Sequence, residues 1–186
     1  MESGGPGPKG ARAVRRFCVA LLAGLALYAA PVAAQAPRAP DPLLDRLIGR
    51  WVLHGQMAGQ VTTHDVTFTW VLEHEYVQMH EVSRERTPAG IPAYEALVLI
   101  TPDTIPGGYA AQWLDNTAAS SFDPRGVGRG IAAGDSIPFV FDYSPTGHFH
   151  NTFVYHRDSD TWEWHLDNDV DGVRKVFARV LLTRAP

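Results

Sequence analysis

Most of the chain alternates between apolar and polar residues, which is the pattern of β-strands that bury one face. About ten such segments follow one another, separated by turn-forming stretches such as TPAGIP, SPTG and DVDG. The segments are WVLHGQM, VTTHDVTFTWVL, EYVQMHEVSR, YEALVLI, YAAQWLDN, GVGRGIA, IPFVFDY, HFHNTFVYH, TWEWHLDN and VRKVFARVLL. Short connections make consecutive strands antiparallel neighbours, and a sheet of this size must close or fold over to protect its edges. The pattern predicts an all-β protein, an antiparallel up-and-down β-barrel of about ten strands, with a β-sandwich as the alternative.

One short N-terminal helix is predicted just before the first strand. Asp41 is placed to cap its N-terminus, Pro42 lies in the first turn and Gly49 ends it. The residues that share its apolar face are Leu43, Leu44, Leu47 and Ile48.

The first 36 residues have the organisation of a secretory signal peptide. A basic start is followed by the apolar run FCVALLAGLALYAA and by the small-residue cleavage signal VAAQA. The apolar run is shorter than the roughly 20 residues that span a bilayer, so no integral membrane segment is expected. The predicted organisation is a signal peptide (1–36), a linker (37–42) and one barrel domain (43–186), in a protein exported to the periplasm or the medium.

Charge and cysteine content change with removal of this leader. The leader carries four of the 16 basic residues, one of the 20 acidic residues and the only cysteine, Cys18. The remaining chain is therefore more acidic than the full sequence and contains no thiol for a disulfide. Since nucleic-acid binding requires a basic surface, a nucleic-acid partner is not expected.

The stretch DNDVDG resembles the first half of a calcium-binding loop. Asp167, Asp169 and Asp171 alternate and are followed by Gly172, but the position that needs a bidentate glutamate is Ala178. The flanking segments also alternate like strands instead of helices. We therefore predict that Asp171 and Gly172 form a tight hairpin turn and that the other two aspartates are solvated, with a weak calcium site as the alternative.

Histidines dominate one face of the segment HFHNTFVYH. His148 and His150 are close enough to share a metal ion, whereas His156 lies too far along the strand. Matching the apolar faces of this segment and TWEWHLDN puts His165 on the same side. Because the opposite face is aromatic, we interpret the histidine face as the outer wall of the barrel. The alternative is a metal site formed by His148, His150 and His165, because a slip of one residue would reverse the faces.

The helix running into LIGRW, the later WLDN and the terminal DGVRKVFARVLLTR together resemble a bacterial lipocalin-like family of uncharacterised function, which is built on a calycin-type barrel. The resemblance covers nearly all of the chain after the leader. It implies a barrel with a cavity, in which Gly49 and Trp51 close one end. It implies no particular activity.

Several residues are candidates for contact with a ligand inside such a barrel. In WLDN, Trp113 and Asp115 share a face, and an internal Asp115 would need a ligand or a partner to satisfy its carboxylate. The alternative for Asp115 is a structural hydrogen bond. Tyr76 and His80 share a face of EYVQMHEV and could add polar contacts. The aromatic candidates, which could equally be core residues, are Tyr94, Phe141, Phe153 and Trp164.

The sequence therefore predicts an exported, cofactor-free barrel that binds a small, largely apolar molecule, as a monomer or homodimer. One alternative is a small acid/base enzyme (an isomerase, cyclase or hydrolase) that uses Asp115 or a histidine. Two others are a histidine-based metal-binding protein and a structural envelope adaptor without a ligand. The motifs HExxH and GxSxG do not occur in the sequence.

Overall fold

The computed structural model describes Met1 and residues 40–117 and 123–186. Apart from Met1, the predicted signal peptide (1–36) lies outside the described residues, as does the start of the predicted linker. The described chain is all-β, and its ten strands form one closed antiparallel up-and-down barrel. The predicted fold class is confirmed.

The elements follow the predicted order. They are helix α1 (Pro42–Leu47) and strands β1 (Gly49–Met57), β2 (Gln60–Val71), β3 (Tyr76–Ser83), β4 (Glu95–Pro102), β5 (Gly108–Asp115), β6 (Val127–Ile131), β7 (Ser136–Ser144), β8 (Gly147–His156), β9 (Thr161–Val170) and β10 (Val173–Arg184). A short 3-10 turn, Pro124–Gly126, precedes β6. Each strand pairs with its neighbours in sequence, and β1 pairs with β10 to close the ring.

Helix α1 forms as its sequence predicts. The Asp41 carboxylate accepts hydrogen bonds from the backbone N–H groups of Leu43 and Leu44, both at 3.0 Å, which satisfies donors that a helix N-terminus leaves unpaired. Leu43, Leu44 and Leu47 are buried. Within the described residues, no helix has the length and apolar character needed to cross a membrane.

Three tryptophans attach α1 to one end of the barrel. The indole N–H of Trp51 donates to the Leu47 carbonyl at 2.6 Å, and that of Trp162 donates to the Arg46 carbonyl at 3.4 Å. The third indole, of Trp70, donates to a carboxylate oxygen of Asp45 at 2.9 Å. The helix therefore covers this end, as the resemblance implied for the neighbourhood of Trp51.

Arg184 at the end of β10 strengthens the same closure. Its guanidinium lies 3.8 Å from the centre of the Trp51 ring, a distance typical of a cation–π contact. It also donates to the Ile48 carbonyl at 2.6 Å and to the Asp160 carboxylate at 2.9 Å. One side chain thus joins the helix, the first strand and the β8–β9 turn.

The register of β8 and β9 confirms the predicted faces. Phe153 lies opposite Trp164, and both are buried inside the barrel. His150 lies opposite Asp167 on the other face. The histidine face is therefore the outer wall.

Asp171 and Gly172 form the two-residue turn between β9 and β10, as predicted. Their φ angles are 53° and 76°, the positive values that a type I′ turn requires at both positions. The solvated state expected for the preceding aspartates is wrong. The side chain of Asp167 is 13% exposed and accepts a hydrogen bond from Arg179 at 2.6 Å, and that of Asp169 is 17% exposed.

Glycines allow β6 and β7 to pack closely. A Cβ atom on Gly130 would lie 1.8 Å from the Pro138 carbonyl oxygen, and one on Gly128 would lie 2.6 Å from the Phe141 ring. Glycine at these positions therefore lets the Phe141 ring lie directly over the β6 backbone.

Candidate functional site

The barrel interior contains a cavity of about 1060 Å³ at the end remote from α1. Its lining includes the last residue of β1, Met57, the first of β2, Gln60, and the last of β5, Asp115. The end closed by α1 is packed instead by fully buried side chains such as Trp51, Leu53 and Trp162. The cavity is large enough for a small organic molecule, since ligand pockets typically measure about 300–1,000 Å³.

Aromatic rings form one part of the cavity wall. The Trp113 ring lies 6.2 Å from that of Phe141 and 5.8 Å from that of Trp164, measured between centroids. Phe149 and Phe177 make a further edge-on contact and also line the cavity. This wall offers apolar surface and ring faces to an occupant.

A buried polar pair, His64 and Glu81, forms another part of the wall. Nδ1 of His64 lies 2.5 Å from Oε1 of Glu81, and the two residues are 2% and 0% exposed. The His64 ring also stacks on Tyr94, with centroids 5.8 Å apart. In the described part of the chain, Oε2 of Glu81 has no hydrogen-bond partner. Buried carboxylate oxygens are normally paired, and in the described chain Oδ1 of Asp169 on the outer wall also lacks a partner.

A chain of hydrogen bonds links Glu81 to the mouth of the cavity. Nε2 of His64 lies 2.8 Å from the Thr62 hydroxyl, which donates to Oε2 of Glu85 at 3.0 Å. When Thr62 donates its single proton to Glu85, it accepts from His64. The Glu85 side chain is 47% exposed, so the chain runs from the buried carboxylate to solvent.

The acidic groups of the cavity influence one another. Burial raises the pKa of Glu81, the hydrogen bond from His64 opposes this, and the Asp115 carboxylate raises it further. Burial also raises the pKa of Tyr94, with additional contributions from the charges of Glu81 and Asp115. These three groups therefore interact electrostatically within one site.

Asp115 lines the cavity and also has a structural role. Its Oδ1 accepts hydrogen bonds from the backbone N–H of Thr117 at 2.8 Å and from the Thr117 hydroxyl at 2.6 Å. The structural hydrogen bond expected as the alternative is therefore present, and contact between Asp115 and a ligand stays a prediction.

The structure brings together five of the eight predicted ligand contacts. The residues that line the cavity are Tyr94, Trp113, Asp115, Phe141 and Trp164. Phe153 packs behind Trp164, with rings stacked 4.7 Å apart, and belongs to the core. The ligand-binding role of all eight residues stays a prediction.

Tyr76 and His80 do not line the cavity. Alternate residues of β3, including Met79 and Glu81, are buried, whereas His80 is exposed on the other face. Nε2 of His80 lies 2.8 Å from Oε1 of Glu95 on the outer wall. The polar contacts expected from Tyr76 and His80 are therefore not at the cavity.

Sequence reasoning missed His64 and Glu81, although a signal for each was present. Glu81 has the same parity in its strand as Val77 and Met79, which are buried. His64 likewise shares a face with Val66 and Phe68. A polar residue that continues an apolar face points into the interior.

The candidate metal ligands lie on the outer wall, and each contacts another side chain. His148 contacts Asp142 at 2.5 Å, and His165 contacts Glu163 at 3.0 Å. Nε2 of His150 lies 2.8 Å from an Arg174 nitrogen, whose positive charge opposes a metal cation. Among residues 40–117 and 123–186, no three His, Cys, Asp or Glu side chains are grouped to hold a metal ion.

Comparison with known proteins identifies no family. No family model matches the chain, and no curated protein matches it significantly. The lipocalin-like resemblance is therefore not confirmed at the level of family, and the closed ten-strand barrel is the established part of that prediction.

Proposed function

We propose that this protein binds a small, largely apolar molecule inside its barrel. The observation that carries the proposal is the cavity of about 1060 Å³, with Trp113, Phe141 and Trp164 in its wall. Removal of apolar surface from water drives such binding, at about 25 cal/mol for each Å² buried. The uneven filling of the interior supports the same conclusion, because large side chains pack the end beside α1 and leave the other end open.

The predictions of a lipocalin-like barrel, of export and of a small-molecule partner also form part of this proposal. A lipocalin-like barrel fits the arrangement, in which α1 and Trp51 close one end and a cavity occupies the other. Export to the periplasm or the medium fits the basic start and apolar run of the leader. The small molecule is the partner we propose.

The experiment is a titration with N-phenylnaphthylamine, a neutral fluorophore whose emission increases in an apolar site. We expect saturation at about one molecule per chain. Leu166→Trp adds a large ring at a residue that lines the cavity and should weaken binding by at least about tenfold. Leu181→Trp is the matched control, because Leu181 is exposed on the outer wall.

Two outcomes would contradict the proposal. The first is an absence of saturable binding. The second is equal binding by wild type and a folded Leu166→Trp variant, which would place the fluorophore outside the cavity. Circular dichroism of each variant establishes that the barrel is intact.

One observation favours acid/base catalysis as a second candidate function. Glu81 orients His64, whose other ring nitrogen continues a hydrogen-bonded chain to Glu85, and such pairs transfer protons in many enzymes. The test is to recover the bound molecule after incubation and analyse it by mass spectrometry and NMR. Conversion by wild type and loss of conversion in His64→Gln would support catalysis, and unchanged recovery from both would contradict it.

A further inference from the structure

We propose that the molecule bound in the cavity carries a protonated amine, which Glu81 and Asp115 recognise. This inference rests on the proposed function and names the chemical class of its ligand, an apolar body with an ammonium group.

The first supporting observation is the unpaired oxygen of Glu81. The residue is 0% exposed and lines the cavity, and Oε1 is occupied by His64. Oε2 has no partner among the described residues. An unsatisfied buried carboxylate oxygen destabilises the empty protein, and a donor supplied by a ligand would remove that penalty. An ammonium group has three such donors and carries the complementary charge.

The second observation is the charge of the lining. The acidic residues among the described lining are Glu81, Glu85, Asp115 and Asp123. Their basic counterparts are Arg125, whose guanidinium is bonded to the Asp123 carboxylate, and His64. Even with His64 protonated, the carboxylates outnumber the cations. A cavity with low-dielectric walls concentrates the resulting negative potential, which favours a cationic ligand.

The third observation is the position of the two central acids. Glu81, Asp115 and Tyr94 all line the same cavity, and the charge of Asp115 raises the pKa of Glu81. Two carboxylates that repel each other are both stabilised by a cation placed near them.

The aromatic wall adjoins these carboxylates. Trp113 donates its indole N–H to the Tyr94 hydroxyl at 3.1 Å, and both residues line the cavity. Aromatic faces attract ammonium groups through the ring quadrupole, and they also bury the apolar part of the same molecule. The site therefore suits an amine attached to an apolar body.

A metal ion is a weaker match to the same acidic region. Metal sites in proteins use several converging side-chain ligands, and within the described parts of the chain no group of three or more His, Cys, Asp or Glu residues is arranged in that way. An ammonium group needs fewer protein ligands, because it forms directional hydrogen bonds with individual carboxylate oxygens.

The test compares three probes of similar shape and different charge by calorimetric titration at neutral pH. The probes are naphthylethylamine, ethylnaphthalene and naphthylacetate. We expect the amine to bind at least about tenfold more tightly than ethylnaphthalene, since a buried hydrogen bond between opposite charges is stronger than a neutral contact. The anion should bind most weakly.

Variants then test whether Glu81 causes the preference for the amine. Glu81→Gln keeps the size of the side chain and should reduce the preference for the amine to within about twofold, with ethylnaphthalene binding retained. Glu163→Gln is the matched control, because Glu163 also pairs with a histidine but lies on the outer wall. This control should keep the full preference.

The outcomes separate the inference from the proposed function. Binding of ethylnaphthalene as tight as that of the amine overturns the inference alone. Absence of binding by all three probes overturns the proposed function and the inference together. If Glu81→Gln does not fold, Asp115→Asn replaces it, and a preference unchanged in that variant overturns the assigned role of Asp115.

Discussion

His64 occupies only one of the two carboxylate oxygens of Glu81. Its Nδ1 lies 2.5 Å from Oε1, while Oε2 is buried without a partner in the described chain, in a residue that lines the cavity. A fully buried acid in this state is costly to the folded protein. Groups that serve binding or catalysis often carry such a cost, so the pair links the stability of the barrel to its proposed function.

We expect Glu81→Gln to stabilise the empty protein at neutral pH. Burial raises the pKa of Glu81 in the folded state above that in the unfolded state. The protonated side chain therefore contributes fully to the free energy of unfolding below the unfolded pKa, and this contribution is lost as pH rises through the folded pKa. Glutamine does not ionise, so Glu81→Gln should raise the free energy of unfolding by about 1–2 kcal/mol, or Tm by roughly 3–8 °C. Thermal unfolding followed at several pH values measures the gain, which should shrink as the pH is lowered.

Glu163→Gln is the control for this prediction and should behave oppositely. The hydrogen bond from His165 lowers the pKa of Glu163. The Glu163 carboxylate therefore contributes to the free energy of unfolding above the unfolded pKa, and this contribution is lost as pH falls through the folded pKa. We expect a small loss of stability at neutral pH in this variant. A lower Tm for Glu81→Gln at neutral pH would show that the pair with His64 outweighs the cost of burial.

Replacing Arg184 by lysine should weaken the closure of the barrel by α1. Lysine keeps the charge but loses the planar stacking on Trp51 and the forked donation to Ile48 and Asp160. We expect a loss of about 1–2 kcal/mol in the free energy of unfolding, measured by urea denaturation. In the control, Arg84→Lys, only an exposed pair with Asp65 changes, and the effect should be smaller. Equal effects would contradict the role given to Arg184.

The Asp171–Gly172 turn leads to a prediction about calcium. Because Gly172 has a φ of 76°, Gly172→Ala should cost about 1 kcal/mol in the free energy of unfolding. Asp171→Asn should be nearly neutral, since asparagine also tolerates positive φ. Added calcium and added chelator should both leave Tm unchanged. A rise in Tm with millimolar calcium that disappears in Asp169→Asn would replace the hairpin interpretation with a metal site.

Acid should weaken the contact between α1 and the loop before β7. Hydrogen bonds from Arg157, together with the charge and hydrogen bond of Arg46, lower the pKa of Asp135. Because the folded pKa is lowered, the Asp135 carboxylate contributes fully to the free energy of unfolding above the unfolded pKa, near 4. This contribution is lost as pH falls through the folded pKa. Asp135→Asn should therefore reduce stability at neutral pH and flatten the acid limb of the curve of Tm against pH. Asp158→Asn, an exposed change in a nearby turn, is the control and should leave Tm at neutral pH as it is in wild type.

The fold could be predicted from sequence because its signals are local. Period-two alternation located all ten strands, Asp41 and the leucines located α1, and the aromatic residues of β8 and β9 indicated which of their faces lie together. Each of these depends on side chains that must be buried or on a cap that must be filled.

The site was predicted only in part, because polar residues inside a barrel do not follow the apolar pattern. Aromatic residues such as Trp113 and Phe141 were found, since large rings favour the interior. Glu81 was missed because a carboxylate is normally exposed, and it is tolerated here beside His64, which lies on a neighbouring strand. Tyr76 and His80 were considered for the interior because the inward face of β3 was not fixed by hydropathy alone.

The five tryptophans divide between the two ends of the barrel and provide a direct test of binding. Two indole N–H groups belong to rings that line the cavity, those of Trp113 and Trp164, and they donate to Tyr94 and Asn151. The other three indoles donate to α1. They are those of Trp51, Trp70 and Trp162.

A titration with N-phenylnaphthylamine, followed in nitrogen–proton NMR spectra of the indole N–H groups, reports directly on binding inside the cavity. Assignment follows from replacing each tryptophan by phenylalanine in turn. We expect the Trp113 and Trp164 signals to shift together and saturate at about one molecule per chain, while the three signals at the helix end stay in place. Unchanged Trp113 and Trp164 signals, or shifts confined to Trp70 and the helix end, would contradict binding inside the cavity.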